Sequence, residues 1–340
     1  MIEQTKFNNE EIKKILKQKY NLNIKSIQKI NRGSANIFKI ETKDEKYILK
    51  EFQSKYNQKE IEKEVHVINH LKIKNLQVPE HLKNVDGTYM FDHQGNTCIL
   101  EKYIEGDTIG KNTGNKEMLK ESAKYLALII KGLEDYPYDD LWNCNLDKYS
   151  DKETFSQSIQ KYNQLIELSK GDKYEDIITK DLTDKIEMIK TILIKDLTQI
   201  KNVTVKATHG DYNVLQFIYE KEHIKAIIDF ASAAKLPVVW EIIRSYSYLD
   251  KEAKNGKINI ANLVSYTKEY LKYEILNEYD LKYMPYIYLT QLLNSTYGYK
   301  QYLQNQNEEL LKFGIERTNY CRTLFKDSDE ISQKLLKLTL

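Results

Sequence analysis

The 340-residue chain has little of what punctuates or staples a fold: four prolines, 12 glycines and three cysteines. None of the prolines and glycines cluster into a flexible linker, so separate folded parts must join through a short segment. Cys98, Cys144 and Cys321 are odd in number and far apart, which argues against a zinc knuckle and a disulfide framework and makes a reducing cytoplasm the expected compartment. Arginine is scarce as well. Arg32, Arg244, Arg317 and Arg322 are the only four among 52 basic residues, too few guanidinium forks for a phosphate-binding arginine cluster. No apolar run approaches the ~18 residues that span a bilayer, and the first ten residues are too polar for a secretory signal. The net charge of +2 selects neither nucleic acid nor an anionic membrane as a partner.

What is present is an ordinary folded composition, 41% hydrophobic and 30% charged, in a chain longer than one minimal domain of ~100–200 residues. Its texture changes along its length. Segments 24–30, 37–40 and 47–52 carry spaced aliphatics around the polar turn 42–46, the pattern of an antiparallel hairpin. Ile61, Val65, Ile68 and Leu71 follow at helical spacing before Pro79. Segments 89–91 and 97–100 read as two further strands. After Gly106 the pattern turns helical, with apolar stripes over 119–133, 177–200 and 240–324, interrupted by a β-type island at 203–230. This order predicts an α+β, two-lobed protein: a small β-rich N-terminal lobe over 1–102 and a larger helical lobe over 103–340.

The chemistry concentrates in that island. Thr208-His209-Gly210-Asp211 places Asp211 on a turn, and Asp229 ends an apolar strand 18 residues later. Two carboxylates at the mouths of neighbouring β-segments can divide phosphoryl transfer between them. One orients and deprotonates a hydroxyl, and the other holds Mg²⁺ against nucleotide phosphates. Lys50 shares a strand face with Ile48 and Phe52, which points it inward, and a buried ammonium needs a carboxylate partner. The helix offers Glu60, Glu62 and Glu64, of which Glu64 borders the apolar face.

His209-Gly210-Asp211, a following amide and Ile228-Asp229-Phe230 resemble the catalytic loop and metal-binding motif of the aminoglycoside phosphotransferase and choline kinase-like superfamily. The resemblance runs from about residue 24 to 299. It implies a protein-kinase-like fold and transfer of the γ-phosphate of ATP to a small-molecule hydroxyl, with Mg²⁺ as cofactor. On this resemblance Asp211 is the catalytic base. Gly33, Ser34 and Asn36 would belong to the loop that covers the phosphates, and Lys50 with Glu64 would be the phosphate-binding pair, Glu60 being the alternative carboxylate. Leu100 to Gly106 resembles the hinge, where backbone groups near Glu101 and Tyr103 would meet the adenine edge and Gly106 would permit a tight exit. His209 would orient the loop rather than act as base, and Glu241 would hold it. His66, His70, His81, His93 and His223 show no metal-ligand spacing and read as ordinary helix or surface residues.

The departures are specific. The family's amide ligand stands five residues after the catalytic aspartate, where this chain has Gln216; Asn213 is only two residues on. The metal ligands expected are therefore Asp229 and Gln216, with Asn213 as the alternative amide. No glycine follows Phe230 and no Ala-Pro-Glu segment follows, which disfavours a protein substrate. Aminoglycoside, sugar, choline and homoserine-like acceptors stay open. Trp240 and Tyr246, Tyr248, Tyr286, Tyr288, Tyr297 and Tyr299 are candidates for an aromatic acceptor wall. The alternative function is a catalytically weak, kinase-shaped binding or structural protein, such as a spore-coat-associated relative.

Overall fold

The computed structural model describes residues 4–30 and 35–339. Gly33 and Ser34, expected in the phosphate-covering loop, lie outside the described residues. Alternation builds the first sheet. β1 (Ser26–Ile30), β2 (Asn36–Glu41) and β3 (Lys46–Glu51) pair antiparallel, β5 (Asn96–Lys102) lies beyond β3, and β4 (Met90–His93) forms the edge. One face packs on α1 (Asn9–Tyr20): Ile12 and Leu16 meet Phe38, Ile40, Leu49 and Leu100. With Leu49 on that face, the period of two sends Ile48 and Lys50 to the other, where α2 (Gln58–Ile73) packs through Ile61 and Val65 against Phe52 and Ile99.

α2 starts with a capping box. Asn57 accepts from the N–H of Glu60 at 2.9 Å, and the Glu60 carboxylate accepts from the N–H of Asn57 at 3.0 Å. Glu60 is consumed as a cap, which removes it as a partner for Lys50. Asn36 also departs from expectation. It stands in β2, buried, and donates Nδ2 to Oε2 of Glu51 at 3.0 Å. Its neighbours Ala35 and Ile37 face the cleft instead.

The remaining chain is largely helical: α3 (Lys116–Gly132), α4 (Lys152–Leu168), α5 (Glu175–Ile192), α6 (Val238–Leu249), α7 (Ile260–Tyr270), α8 (Glu278–Leu293), α9 (Tyr299–Asn305) and α10 (Glu308–Leu336) share one large apolar core. The stripe expected to run to residue 200 stops at Ile192. Asp196 takes the N–H of Thr198 at 3.0 Å and starts a separate 3₁₀ turn over Thr198–Asn202. Between α5 and α6, β7 (Phe217–Glu220) and β8 (His223–Ile227) form a hairpin, while β6 (Val205–Thr208) pairs with β9 (Ala234–Pro237). The β-type segment thus extends beyond residue 230, because the edge of β6 needs a partner.

Most of the aromatic wall proves to be core. Tyr246, Tyr248, Tyr286, Tyr288 and Tyr299 are buried, and Tyr297 is exposed. The hydroxyls of Tyr246, Tyr286, Tyr288 and Tyr299 find internal partners, as where Tyr246 donates to the carbonyl of Asn259 at 2.9 Å and Tyr299 to Asp181 at 2.6 Å. No helix among the described residues is long and apolar enough to cross a membrane.

Candidate active site

A cavity of about 580 Å³ opens between the first sheet and the helical part. Ile37, Ile48 and Lys50 line it from the sheet, Glu64 from α2, Tyr103 and Ile104 from the connecting segment, and Asp211, Gln216 and Asp229 from the loops around β7 and β8. Apolar walls with a few converging charged groups make a site for a ligand with a flat apolar part and a polar tail.

Lys50 stands between two carboxylates. Its Nζ is 3.1 Å from Glu101 and 3.8 Å from Glu64. Burial disfavours the ammonium, but Glu101, Glu64 and Asp229 outweigh it and hold the lysine charged. Glu64 responds in the opposite sense: burial pushes its carboxyl up to about 7, although Lys50 works against the shift. The nearer partner, Glu101, was expected to act only through its backbone. The structure turns its carboxylate into the cavity, because Glu101 lies opposite Ile48 and so shares the face of Lys50. Tyr103 also differs from expectation: its N–H is taken by the carbonyl of Lys46 at 3.0 Å. Behind Glu101, His81 is buried with its Nε2 3.6 Å from the carboxylate. Burial and the nearby Lys50 push its pKa down to about 3, so it stays neutral. His81 and His93 are both buried rather than surface residues.

The loop bearing Asp211 is locked to the loop bearing Asp229. Gly210 has φ +79°, and a Cβ there would collide with the carbonyl of Ser232, so only glycine fits this crossing. His209 bridges the same two loops. Its Nε2 donates to the carbonyl of Ile228 at 3.1 Å, and its Nδ1 accepts the N–H of Asp211 at 3.3 Å. Both ring nitrogens are used, which is an orienting role. Glu241, fully buried on α6, accepts from the N–H of Tyr212 at 3.0 Å and from the hydroxyl of Thr208. Lys63 of α2 donates to the carbonyls of Ala231 at 2.8 Å and Ala233 at 3.1 Å, tying that helix to the segment after Asp229. Asp229 itself is left-handed, at φ 67° and ψ 67°, a conformation that aspartate tolerates better than most residues and that collects at functional sites.

Asp211 has both oxygens engaged: Oδ2 accepts from Nε2 of Gln216 at 2.9 Å, and Oδ1 pairs with Arg244 of α6. Sequence reasoning missed Arg244, whose one signal was its place three residues after Glu241 on an apolar helix. Asn213 is turned inward. It donates to the carbonyl of Asp211 at 2.7 Å and accepts from the N–H of Leu215 at 3.0 Å. Gly106 serves close approach: a Cβ there would strike Ile218 and the carbonyl of Tyr219 on β7. Among the described residues no group of three or more His, Cys, Asp or Glu side chains could hold a metal. A metal here would need oxygens from a ligand, and the hard donors of Asp229 and Gln216 suit Mg²⁺ on those terms.

The sheet, the helical part and the paired aspartate loops between them define a kinase-like phosphotransferase fold. The chain belongs to the phosphotransferase enzyme family, whose model matches residues 26–263. It is similar in structure to spectinomycin phosphotransferase APH(9)-Ia, solved with ADP and spectinomycin, at 13% identity and a TM-score of 0.66 over 98% of this chain and 99% of that one. Amicoumacin kinase hAmiN, solved with AMP-PNP, Ca²⁺ and its ligand Ami, aligns at 12% identity and 0.61 over 95% and 94%. Choline kinase LicA from Streptococcus pneumoniae aligns at 15% identity and 0.59 over 94% and 98%. No curated protein sequence matches the chain.

Proposed function

We propose that this chain is a cytoplasmic, ATP- and Mg²⁺-dependent kinase that phosphorylates a hydroxyl of a small molecule. One observation carries the reading: Asp211 and Asp229 open into a single cavity that also holds the ion-paired Lys50. In this reading the purine lies between Ile37, Ile48 and Ile218, and Lys50 binds phosphate oxygens. Asp229 and Gln216 hold Mg²⁺, which neutralises phosphate charge when bound. Asp211 takes the acceptor hydroxyl and its proton. Solved relatives that carry nucleotides, and in one case Ca²⁺, support nucleotide and divalent metal as ligands. A relative bound to spectinomycin supports a small acceptor. A purely structural protein would have no need of a lysine held charged in a cavity beside two loop aspartates, which favours activity over the scaffold reading.

The test is ATP turnover by the purified chain against a panel of aminoglycosides, sugars, amino alcohols and hydroxy amino acids. Acceptor-dependent ADP release supports the reading, and its absence across the panel contradicts it.

A further inference from the structure

α2 reaches into the site from two neighbouring positions. Glu64 turns to Lys50 of the sheet, and the half-buried Lys63 turns to the segment that follows Asp229. Its Nζ donates to the carbonyls of Ala231 and Ala233, the end of the 3₁₀ turn over Phe230–Ser232. Carbonyls at a helix end have no partner within the helix, and the run Ala231-Ser232-Ala233-Ala234 has little of its own to fix it. The anchor is itself fixed. Further along α2, His66 bonds Asp140 through Nδ1 at 3.1 Å, and His70 donates Nε2 to the carbonyl of Gly132 at 2.9 Å. Val67, Ile68 and Leu71 are buried in the core of the helical part. Lys63 is thus borne by a helix whose second half is built into the same body as the segment it holds.

That segment needs holding. Asp229 is left-handed, at φ 67° and ψ 67°, and such a backbone persists only where its surroundings over-determine it. On one side Ile228 is pinned twice: its N–H donates to the carbonyl of Gln216 at 2.9 Å, and its carbonyl accepts from His209 at 3.1 Å. On the other side stand the two bonds from Lys63. Between those two carbonyls lies that of Ser232, which abuts Gly210 and so passes any shift of the segment to the loop of Asp211.

We propose that Lys63 is a positioning residue for the metal carboxylate: by holding the carbonyls of Ala231 and Ala233 it keeps Asp229 in the left-handed turn that presents its carboxylate to the cavity. This rests on the kinase reading above, in which Asp229 holds Mg²⁺. Without Lys63 the segment is free to relax, and the backbone at Asp229 returns to a commoner conformation that turns the Cα–Cβ bond away. α2 then serves both ends of the nucleotide's phosphates, through Glu64 on the phosphate-binding lysine and through Lys63 on the metal side. Lys63 also lines the cavity, so the rival role for its ammonium is direct contact with phosphate. The two roles differ in what they owe to the metal. A phosphate contact acts on any nucleotide, whereas positioning of Asp229 acts only when Mg²⁺ is bound.

ADP binding by the full chain, measured by isothermal titration with and without Mg²⁺, is the test. Wild type should bind ADP more tightly when Mg²⁺ is present. Lys63→Met, which keeps the length and loses the donors, should leave metal-free ADP affinity unchanged and reduce the gain from Mg²⁺ by about 10-fold. Lys63→Arg, whose fork can still reach two carbonyls, should keep most of the gain. Lys63→Gln, a neutral donor, should fall between, and it carries the test should the methionine variant not fold. Amide exchange in the metal-free chain gives a second reading. The N–H of Ala233, bonded to the carbonyl of Phe230 at 2.9 Å, should exchange about 10-fold faster in Lys63→Met. An undiminished Mg²⁺ gain, an equal loss of ADP affinity with and without the metal, or an unchanged exchange rate overturns the proposal. A wild-type chain that binds ADP but gains nothing from Mg²⁺ overturns it, while acceptor-dependent turnover can still uphold the kinase reading. Failure of the wild-type chain to bind ADP at all overturns both.

Discussion

The side-chain amide of Gln216 donates to Oδ2 of Asp211 at 2.9 Å. A carboxylate accepts only, so the amide must present its nitrogen there, and its oxygen is left for the cavity that Asp229 also lines. Asn213 has no such freedom, because both ends of its amide are spent on the backbone of its own loop.

Gln216→Ala should therefore raise the Mg²⁺ concentration needed for half-maximal turnover without abolishing activity. Asn213→Ala should leave that requirement unchanged and instead cost about 1 kcal/mol of stability, as lost caps do. Mg²⁺ titration of turnover, run beside thermal unfolding, checks both. The reverse ranking would move the ligand role to Asn213.

Asp229→Ala should abolish turnover and weaken Mg·ATP far more than metal-free ATP, since the carboxylate acts through the metal. Isothermal titration with and without Mg²⁺ reads the difference. Equal weakening of the two would make Asp229 a conformational residue that holds the left-handed turn.

Lys50 should behave as one unit with two carboxylates. Glu101→Gln should lower kcat/KM for ATP at least as much as Glu64→Gln, because Glu101 is the nearer partner. A double-mutant cycle of either with Lys50→Met should show coupling of about 0.5–3 kcal/mol. Additive effects of Glu101→Gln and Lys50→Met would show that their contact contributes nothing to nucleotide use.

The raised pKa of Glu64 gives a pH dependence of definite sign. Its carboxyl moves from 4.5 to about 7 on folding, chiefly through burial. At pH below 4.5 it is protonated in both states and carries no penalty. As pH rises toward 7 the unfolded chain ionises first, so the folded state loses stability across that window and the loss then levels off. Denaturant titrations should show Glu64→Gln gaining stability relative to wild type over this range. The kcat/KM for ATP, which reports the free enzyme, should rise through about pH 7 in wild type as Glu64 ionises and attracts Lys50, and that limb should vanish in Glu64→Gln.

Local patterns made much of this legible. Alternation over residues 47–52 placed Lys50 on the inner face, and glycine before Asp211 signalled a tight turn, which the crossing at Ser232 explains. What the sequence concealed depends on tertiary approach. Glu101 and Lys50 are 51 residues apart and meet only because of the register of β3 with β5. Arg244 reaches Asp211 only once α6 packs against the loop that bears it, with Glu241 holding that loop's backbone. Asn36 reaches Glu51 because one step along a strand exchanges cleft for interior. Spacing alone could not sort the tyrosines between acceptor wall and core, because a hydroxyl that finds an internal acceptor lets a large ring be buried whole.

Phosphorus NMR of the purified chain with Mg·ATP and a mixed panel of hydroxyl acceptors, compared between wild type and Asp211→Asn, tests the central claim most directly. The account predicts a new phosphate monoester resonance growing with ADP in wild type, and at least about 100-fold slower in Asp211→Asn, with Mg·ATP still bound. No ester in wild type, or an ester formed equally fast in the variant, would contradict it.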